Sequence, residues 1–411
     1  MVCQLRLAYK KTAAGAVLAA ASVANAGIIV PAGEWTLDVS GNVNSYAIWQ
    51  KGKGSATVVG GLAGGESTTE AAQSTGLLPN FLSVAGSSRQ NDLDVTFLIS
   101  LNPGGYSSNG ASGGSGTEHR QAFMTFGDKS WGSIKVGKDL GIYASDAILN
   151  DMTLLGVGSP NLTGTTTLGR IGTGFQYADW KQQIAYTTPN FNGFQATGGI
   201  TQAWNTYDSS STATGAYTSA AGTRSLNSSG TGGASPAYEG KASYSFAAND
   251  VTGKVWVSGF AQKVNGVRQG ETAYSADIGA NLKVAGLDLT GYYYTGEGTG
   301  ATIMLRDGYS TTGYSRDVDG GYVQAKYTLP TKTVAGISWG RSNLDRATGE
   351  TAVAGSTGNL LKRNEMTTVG LYHPLTKSVN LVAEYSHVTS ENQAGGENKN
   401  NAGSLGAILF F

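Results

Sequence analysis

Segments in which apolar and polar residues alternate recur along the chain, and the connections between them alternate between short and long. The first segment, 35–49, places Leu37 and Val39 on one face and Asp38 and Ser40 on the other. Successive side chains of a β-strand point to opposite faces, so this period of two predicts a strand with one apolar and one polar side. Fifteen further strands are predicted near 80–89, 93–102, 120–127, 133–138, 175–188, 193–204, 238–247, 251–262, 272–283, 286–295, 320–329, 332–342, 364–373, 378–388 and 402–411.

The connections favour one architecture. Short polar breaks alternate strictly with long stretches rich in Gly, Ser, Thr and Asn, at 51–79, 103–119, 139–169, 205–237, 263–271, 296–319, 343–363 and 389–401. A tilted strand of about ten residues crosses the hydrocarbon of a bilayer. Short turns on one side and long loops on the other are typical of bacterial outer-membrane barrels. The sequence therefore predicts an all-β fold, a transmembrane antiparallel β-barrel of about sixteen strands.

Two other architectures fit the residues less well. The length allows two or three soluble domains, but 61 glycines and the lack of long helical periodicity favour one large β domain. A secreted structural or adhesive β-solenoid would need self-similar repeats of fixed period. Because the connections here vary from four to over thirty residues, that alternative is the weaker one.

The first 26 residues have the features of a secretory signal peptide. Arg6, Lys10 and Lys11 precede a short apolar run, which ends at an Ala-Asn-Ala sequence at 24–26. Cleavage after Ala26 would leave 27–411 as the barrel domain. Cleavage would remove three of the 28 basic residues, so the remaining chain would have 25 basic and 28 acidic residues, a formal net charge of −3. This charge gives no indication of a nucleic-acid partner.

The only cysteine, Cys3, lies in the segment that would be removed. Residues 27–411 therefore offer no thiol for catalysis, disulfides or zinc binding. Asp139, Asp146 and Asp151 lack the spacing of a calcium loop. No histidine lies in an arrangement that would orient it for catalysis. We expect no metal site, no cofactor and no enzymatic activity.

The long connection 139–169 is the strongest candidate for a functional site. Asp139, Asp146 and Asp151 punctuate it, Lys138 precedes it and Arg170 follows it. Its apolar residues need a surface to pack on, which disfavours a loop exposed wholly to solvent, and long loops inside compact folds are usually functional. We therefore expect this loop to fold into the barrel lumen and narrow it, with the carboxylates facing a water-filled gap.

Three stretches resemble the general porins of Gram-negative outer membranes. They are RQAFMTFGDKSWGSIKVGKDLGIYASDAILNDMTLLG from Arg120, LGRIG around Arg170 and VGLYHPLTKSVNLVAEYSH from Val369. The resemblance implies a sixteen-stranded, trimeric barrel whose third long loop folds inward. Acidic residues of that loop would face basic residues of the wall across the constriction. It also implies that the terminal Phe411 is read by the barrel-assembly machinery.

The resemblance assigns roles residue by residue. Lys138 and Arg170 match wall arginines, Asp151 matches a loop carboxylate, and Arg120 matches an arginine near the outer end of its strand. Leu155, in contrast, stands where a second loop carboxylate is common. The expected constriction is thus Lys138, Asp139, Asp146, Asp151, Arg170 and Arg120.

The expected function is passive transport by a multi-pass protein of the outer membrane. A water-filled channel would let ions and small hydrophilic solutes diffuse down their gradients, and its fixed charges would bias ion entry. The partners would be membrane lipid, two further copies of the chain in a homotrimer and the assembly machinery. A solute-specific channel on the same fold remains open as an alternative.

Overall fold

The structure is a computed structural model that describes residues 27–103, 117–160, 166–204, 235–264, 272–302, 305–310, 313–353 and 357–411. The predicted signal peptide, 1–26, lies outside the described residues. Nineteen strands form one sheet. They are β1 Ile28–Ala32, β2 Trp35–Lys53, β3 Glu70–Ser74, β4 Phe81–Gln90, β5 Leu93–Pro103, β6 Thr117–Glu118, β7 Ala122–Asp128, β8 Gly132–Leu140, β9 Trp180–Thr187, β10 Phe194–Thr201, β11 Ala237–Ala248, β12 Val251–Lys263, β13 Thr272–Val284, β14 Leu287–Glu297, β15 Asp317–Thr328, β16 Val334–Leu344, β17 Leu361–Pro374, β18 Val379–Asn392 and β19 Glu397–Phe410.

Helical structure is sparse in the described residues. They form one α-helix, α1, at Ser145–Asn150, and 3-10 turns at Glu66–Thr68, Met152–Leu155 and Thr357–Asn359. Among the described residues, no helix is long and apolar enough to span a membrane.

The sheet closes on itself. Each long strand pairs antiparallel with its neighbour, and β19 returns to pair with β2 from Phe410 opposite Asn42 to Lys399 opposite Lys53. Phe411 continues this ladder, because its backbone N–H donates to the Gly41 carbonyl and its carbonyl accepts from the Gly41 N–H, at 3.1 and 2.9 Å. Setting aside the short β1, β3 and β6, sixteen strands form the barrel. The predicted sixteen-stranded antiparallel barrel is confirmed.

The barrel has one apolar and one polar surface, as the alternation predicts. On the outside, the side chains of Val43, Trp49 and Leu405 are 59%, 55% and 58% exposed. On the inside, Asn42 and Tyr46 are each 1% exposed. A closed barrel satisfies its backbone hydrogen bonds between strands, so an apolar exterior can contact lipid without an open edge.

One predicted loop is wrong. The stretch 389–401 belongs mostly to β18 and β19, which are joined by the four residues 393–396. Its polar residues indicated a loop, but those on the inward face are needed to hold another loop inside the barrel. Ser390 Oγ accepts from the Leu62 N–H at 2.9 Å, and Asn398 Nδ2 donates to the Ala56 carbonyl at 2.8 Å. The structure also adds β1, which pairs with the start of β2 and was not predicted.

Candidate functional site

The connection between β8 and β9, which the structure describes at residues 141–160 and 166–179, lies inside the barrel. Ala144, in the left-handed region at φ 58°, precedes α1, and Asp151 is extended and ends it. The Asp151 carboxylate accepts the Thr153 N–H at 3.0 Å and so caps the following 3-10 turn. Apolar residues of the connection pack against inward-facing residues of the wall in one buried cluster, which includes Tyr143, Ile148, Leu154, Phe175, Phe260 and Tyr322. We call residues 141–160 and 166–179 the luminal loop.

Glu239 of β11 holds the beginning of the luminal loop. Its Oε2 accepts the backbone N–H groups of Ile142 and Tyr143 at 2.7 and 2.9 Å. Its Oε1 accepts from the Lys181 ammonium and the Thr201 hydroxyl. The Glu239 side chain is fully buried. A buried carboxylate is stable only when its lone pairs are filled, and here four donors fill them.

Glu384 of β18 holds the loop on another part of the wall. Its Oε2 accepts the N–H groups of Val157 and Gly158, both at 2.8 Å, and its Oε1 accepts from the Tyr372 hydroxyl at 2.6 Å. The backbone approaches this carboxylate at Gly156, where an added Cβ would lie 2.1 Å from Oε1. Only glycine permits that approach, so Gly156 and Glu384 form a matched pair.

Gln324 of β15 holds the middle of the loop. Its carbonyl oxygen accepts the Met152 N–H at 2.6 Å, and its amide donates to the Asn150 carbonyl at 2.9 Å. Next to it, the Tyr322 hydroxyl donates to the Ala147 carbonyl at 2.8 Å. The luminal loop leaves β8 and is thus attached in turn to β11, β15 and β18, which places it across the lumen.

Asp146 joins α1 to two wall lysines. Its Oδ2 lies 3.1 Å from Lys241 Nζ, and its Oδ1 pairs with Lys254. Burial raises the pKa of Asp146, but the two ammonium groups lower it further and hold it below its ordinary value. Asp146 therefore stays ionised, and the basic wall residues that it contacts are not the lysine and arginine that the sequence indicated.

Asp151 and Arg170 lie together, but inside the loop. Arg170 Nε is 3.9 Å from Asp151 Oδ1, and both side chains are fully buried. Arg170 Nη1 donates to the Met366 carbonyl of β17 at 3.1 Å. Arg170 Nε and Nη2 have no hydrogen-bond partner among the described residues. Because neither charge reaches solvent, this pair fastens the loop to itself and to the wall rather than facing an open gap.

Lys138 departs from the expectation. In the strand register it stands opposite Ala122 of β7 and Gln182 of β9, both exposed on the outside of the barrel. Val136 lies on the same face of β8 as Lys138, and its register partner on β9, Ile184, is 52% exposed. Side chains alternate strictly along a strand, so the expected luminal position of Lys138 is wrong.

Asp139, one residue further along, is on the inward face. It is buried, pairs with Lys135 on its own strand and accepts from Gln121 Nε2 at 2.9 Å. Arg120 lies two residues before β7, at the end of that strand distant from the short turns. Its Nε pairs with Glu118 at 2.8 Å, and its guanidinium lies 5.9 Å from the Trp180 ring centre.

A cavity of about 160 Å³ lies between the luminal loop and the wall near the long-loop ends of β8 and β9. Arg120, Leu140 and Trp180 of the wall line it on one side, and Ile148 and Leu154 of the loop line it on the other. Among the described residues that line the cavity, Arg120 is the only charged one.

Sequence reasoning missed the residues that hold the loop, Glu239, Gln324 and Glu384, together with the lysines that meet Asp146. One signal was available. Each lies on the inward parity of its strand, as Glu384 does between outward-facing Ala383 and Tyr385. Partners for the backbone of the luminal loop must come from such inward polar residues.

A closed sixteen-stranded barrel with an apolar exterior and a loop tethered across its lumen defines a membrane channel. The sequence profile of the Gram-negative porins matches residues 12–393. The chain therefore belongs to the Gram-negative porin family, and it is an outer-membrane channel for the diffusion of solutes. Among curated proteins, none matches the chain.

Solved structures share the fold at low sequence identity. The outer-membrane channel DcaP of Acinetobacter baumannii superposes with a TM-score of 0.68 at 16% identity, covering 94% of this chain and 100% of that one. The anion-selective porin from Comamonas acidovorans gives 0.57 at 14%, covering 92% and 100%. Salmonella typhi OmpF, solved with daunomycin, gives 0.58 at 14%, covering 93% and 100%. At these identities the likeness concerns the fold alone.

Proposed function

We propose that the luminal loop forms the constriction of this channel, and that solutes pass between the loop and the wall that carries Arg120. The observation that supports this most directly is the position of the cavity. It lies between the loop and the wall at Arg120, Leu140 and Trp180, whereas the side chains that hold the loop at Ile142, Met152 and Val157 belong to β11, β15 and β18. Solutes would move passively, and no catalytic step is part of the proposal.

The biogenesis of the channel forms part of the same proposal. The signal sequence would be removed after Ala26, the assembly machinery would read Phe411, and three copies would associate in the outer membrane. The outward rows of apolar side chains give each barrel a surface suited to lipid and to other copies.

Cysteine modification can test the position of the pathway, because residues 27–411 contain no native thiol. In planar bilayers, a charged thiosulfonate reagent should reduce the current through Arg120→Cys channels, since the added group would occupy the cavity. Lys138→Cys is the matched control, because that position lies on the outside of the barrel, opposite Ala122 of the adjacent strand β7. Unchanged current in Arg120→Cys, with modification verified by mass, would contradict the proposed pathway.

The cavity itself favours a second candidate, a channel selective for particular solutes. Apart from Arg120, no described residue that lines the cavity is charged, and most of the lining side chains are leucine, isoleucine or aromatic. Such a lining suits a solute with an apolar body and one anionic group. A current that saturates with the concentration of a small aromatic carboxylate would favour this candidate, whereas a linear dependence would favour general diffusion.

A further inference from the structure

Four lysines lie on the inward side of four of the five consecutive strands β11 to β15, in the half of the barrel that ends in short turns. They are Lys241 of β11, Lys254 of β12, Lys283 of β13 and Lys326 of β15. The contacts of Lys241 and Lys254 with Asp146 of the luminal loop show that both side chains point inward. The other two flank Asp288 of β14 in the strand register, one on each side. We call these four residues the lysine wall.

The lysine wall contains more ammonium groups than carboxylates. Lys241 and Lys254 share Asp146, while Lys283 and Lys326 share Asp288 at 3.7 and 3.0 Å. Four positive charges therefore meet two negative ones. Asp277 of β13 is also inward, but it is 6% exposed and accepts the Tyr292 hydroxyl at 3.0 Å.

Exposure separates the two signs of charge. The lysine side chains are 24%, 32%, 59% and 25% exposed, whereas those of Asp146 and Asp288 are 6% and 19% exposed. An ion in the luminal water therefore meets ammonium groups first. Each ammonium group has three N–H donors. Two lysines can therefore each donate to a shared carboxylate and still have N–H groups available for an oxyanion.

The short-turn ends of β4, β5 and β7 carry the opposite balance. Arg89 pairs there with both Asp94 and Asp128, at 2.8 and 3.2 Å. Within this group one cation thus faces two carboxylates, whereas the lysine wall has four cations for two carboxylates. Rings or walls of lysine and arginine are the usual basis of anion selectivity in pores.

We propose that the lysine wall is a binding site for small anions, such as phosphate and carboxylates, and that it makes the channel anion-selective. Anions would travel along β11 to β15 in the short-turn half of the lumen. This inference rests on the proposed open pathway, but it concerns different residues. A negative result in the Arg120→Cys experiment would contradict the proposed pathway but not the role of the lysine wall. A channel that conducts without charge preference would contradict only the role of the lysine wall.

Reversal potentials in a salt gradient provide the test. Wild-type channels in bilayers should favour chloride over potassium. The double variant Lys283→Gln, Lys326→Gln should lower the chloride-to-potassium permeability ratio by roughly twofold per lysine, the effect of a unit charge about 8 Å from an ion in water. Asp288→Asn should raise the ratio, because it leaves both lysines without a carboxylate. The chosen lysines contact a strand residue rather than the luminal loop, so the constriction is undisturbed.

Three comparisons keep the test decisive. Lys283→Arg with Lys326→Arg preserves the charge and should retain the wild-type ratio, which separates charge from packing. Lys377→Gln removes an exposed lysine from the turn 375–378 at the same end of the barrel and should change little. Inorganic phosphate added on the short-turn side should reduce the chloride current, at concentrations several-fold higher in the double glutamine variant. A cation-selective wild type, or equal ratios in wild-type and glutamine channels, would overturn the proposal.

Discussion

Replacing Arg170 by methionine should loosen the luminal loop without unfolding the barrel. The guanidinium is fully buried beside Asp151, and its Nη1 donates to the Met366 carbonyl on β17. Methionine has a similar length and no charge, so the change leaves the Asp151 carboxylate buried without a cation. Thr153 and the Arg170 backbone N–H would still donate to that carboxylate.

The expected size follows from the burial of both partners. Removing one member of a buried ion pair costs about 3–5 kcal/mol, because the remaining charge is uncompensated. A local opening free energy smaller by that amount raises the exchange rate of the loop's amide protons by roughly a hundredfold to a few thousandfold. The interstrand hydrogen bonds of the barrel do not depend on the pair, so their exchange should be unchanged.

Hydrogen exchange with mass spectrometry measures both regions in one experiment. Peptides covering 151–158 should exchange faster in Arg170→Met, and peptides of β18 and β19 should not. Arg341→Met is the matched control, since Arg341 is exposed on the outward side of β16. Replacing both partners by apolar residues should recover part of the protection, because no unpaired charge remains. Unchanged exchange in 151–158 would refute the view that this pair secures the loop.

Four other outcomes are expected. N-terminal sequencing of the protein from outer membranes should begin at Gly27, and an intact full-length chain there would contradict signal removal. Deletion of Phe411 should reduce assembled, heat-modifiable barrel at equal synthesis, as semi-native gels would reveal. Glu384→Ala should increase open-channel current noise more than Glu384→Gln, because alanine leaves two buried N–H groups without an acceptor at about 1–3 kcal/mol each. Because the pKa of Asp146 is lowered in the folded protein, the ionised carboxylate stabilises the loop fully above the ordinary pKa of 3.8, and this stabilisation is lost as pH falls through the lower folded pKa. Amide exchange of the loop, corrected for intrinsic rates, should therefore be constant from pH 7 down to pH 3.8 and should rise at lower pH.

The barrel was predictable from the sequence because its strands obey one local rule. Alternation along each strand separates the inside from the outside, and in the segment 35–49 it predicted the two faces of β2. The rule weakens near the long-loop end, where strands extend beyond the apolar layer and both faces become polar. There Ser390 and Asn392 of β18 look like loop residues, although they lie in a ladder.

The candidate site was predictable only in part, because its contacts join distant segments. Asp146 and Asp151 could be recognised as loop carboxylates, but their partners depend on strand register and loop path. A single step along β8 exchanges inward for outward, which is why Lys138 lies outside the barrel while Asp139 lies inside. Glu239 is 97 residues from the Ile142 N–H that it accepts, and no local pattern links such positions.

The way the loop is fastened also influences which ions the lumen presents. Backbone N–H groups at 142–143 and 157–158 need acceptors inside the barrel, and Glu239 and Glu384 supply them. Lysine or arginine could not replace these residues, since their side chains only donate. Carboxylates on the inward faces of β11 and β18 are therefore buried beneath the loop. The lysines of β13 and β15 do not bind the loop backbone and remain exposed to water. Because the backbone N–H groups of the loop take up the carboxylates, the accessible side of the wall is left positive.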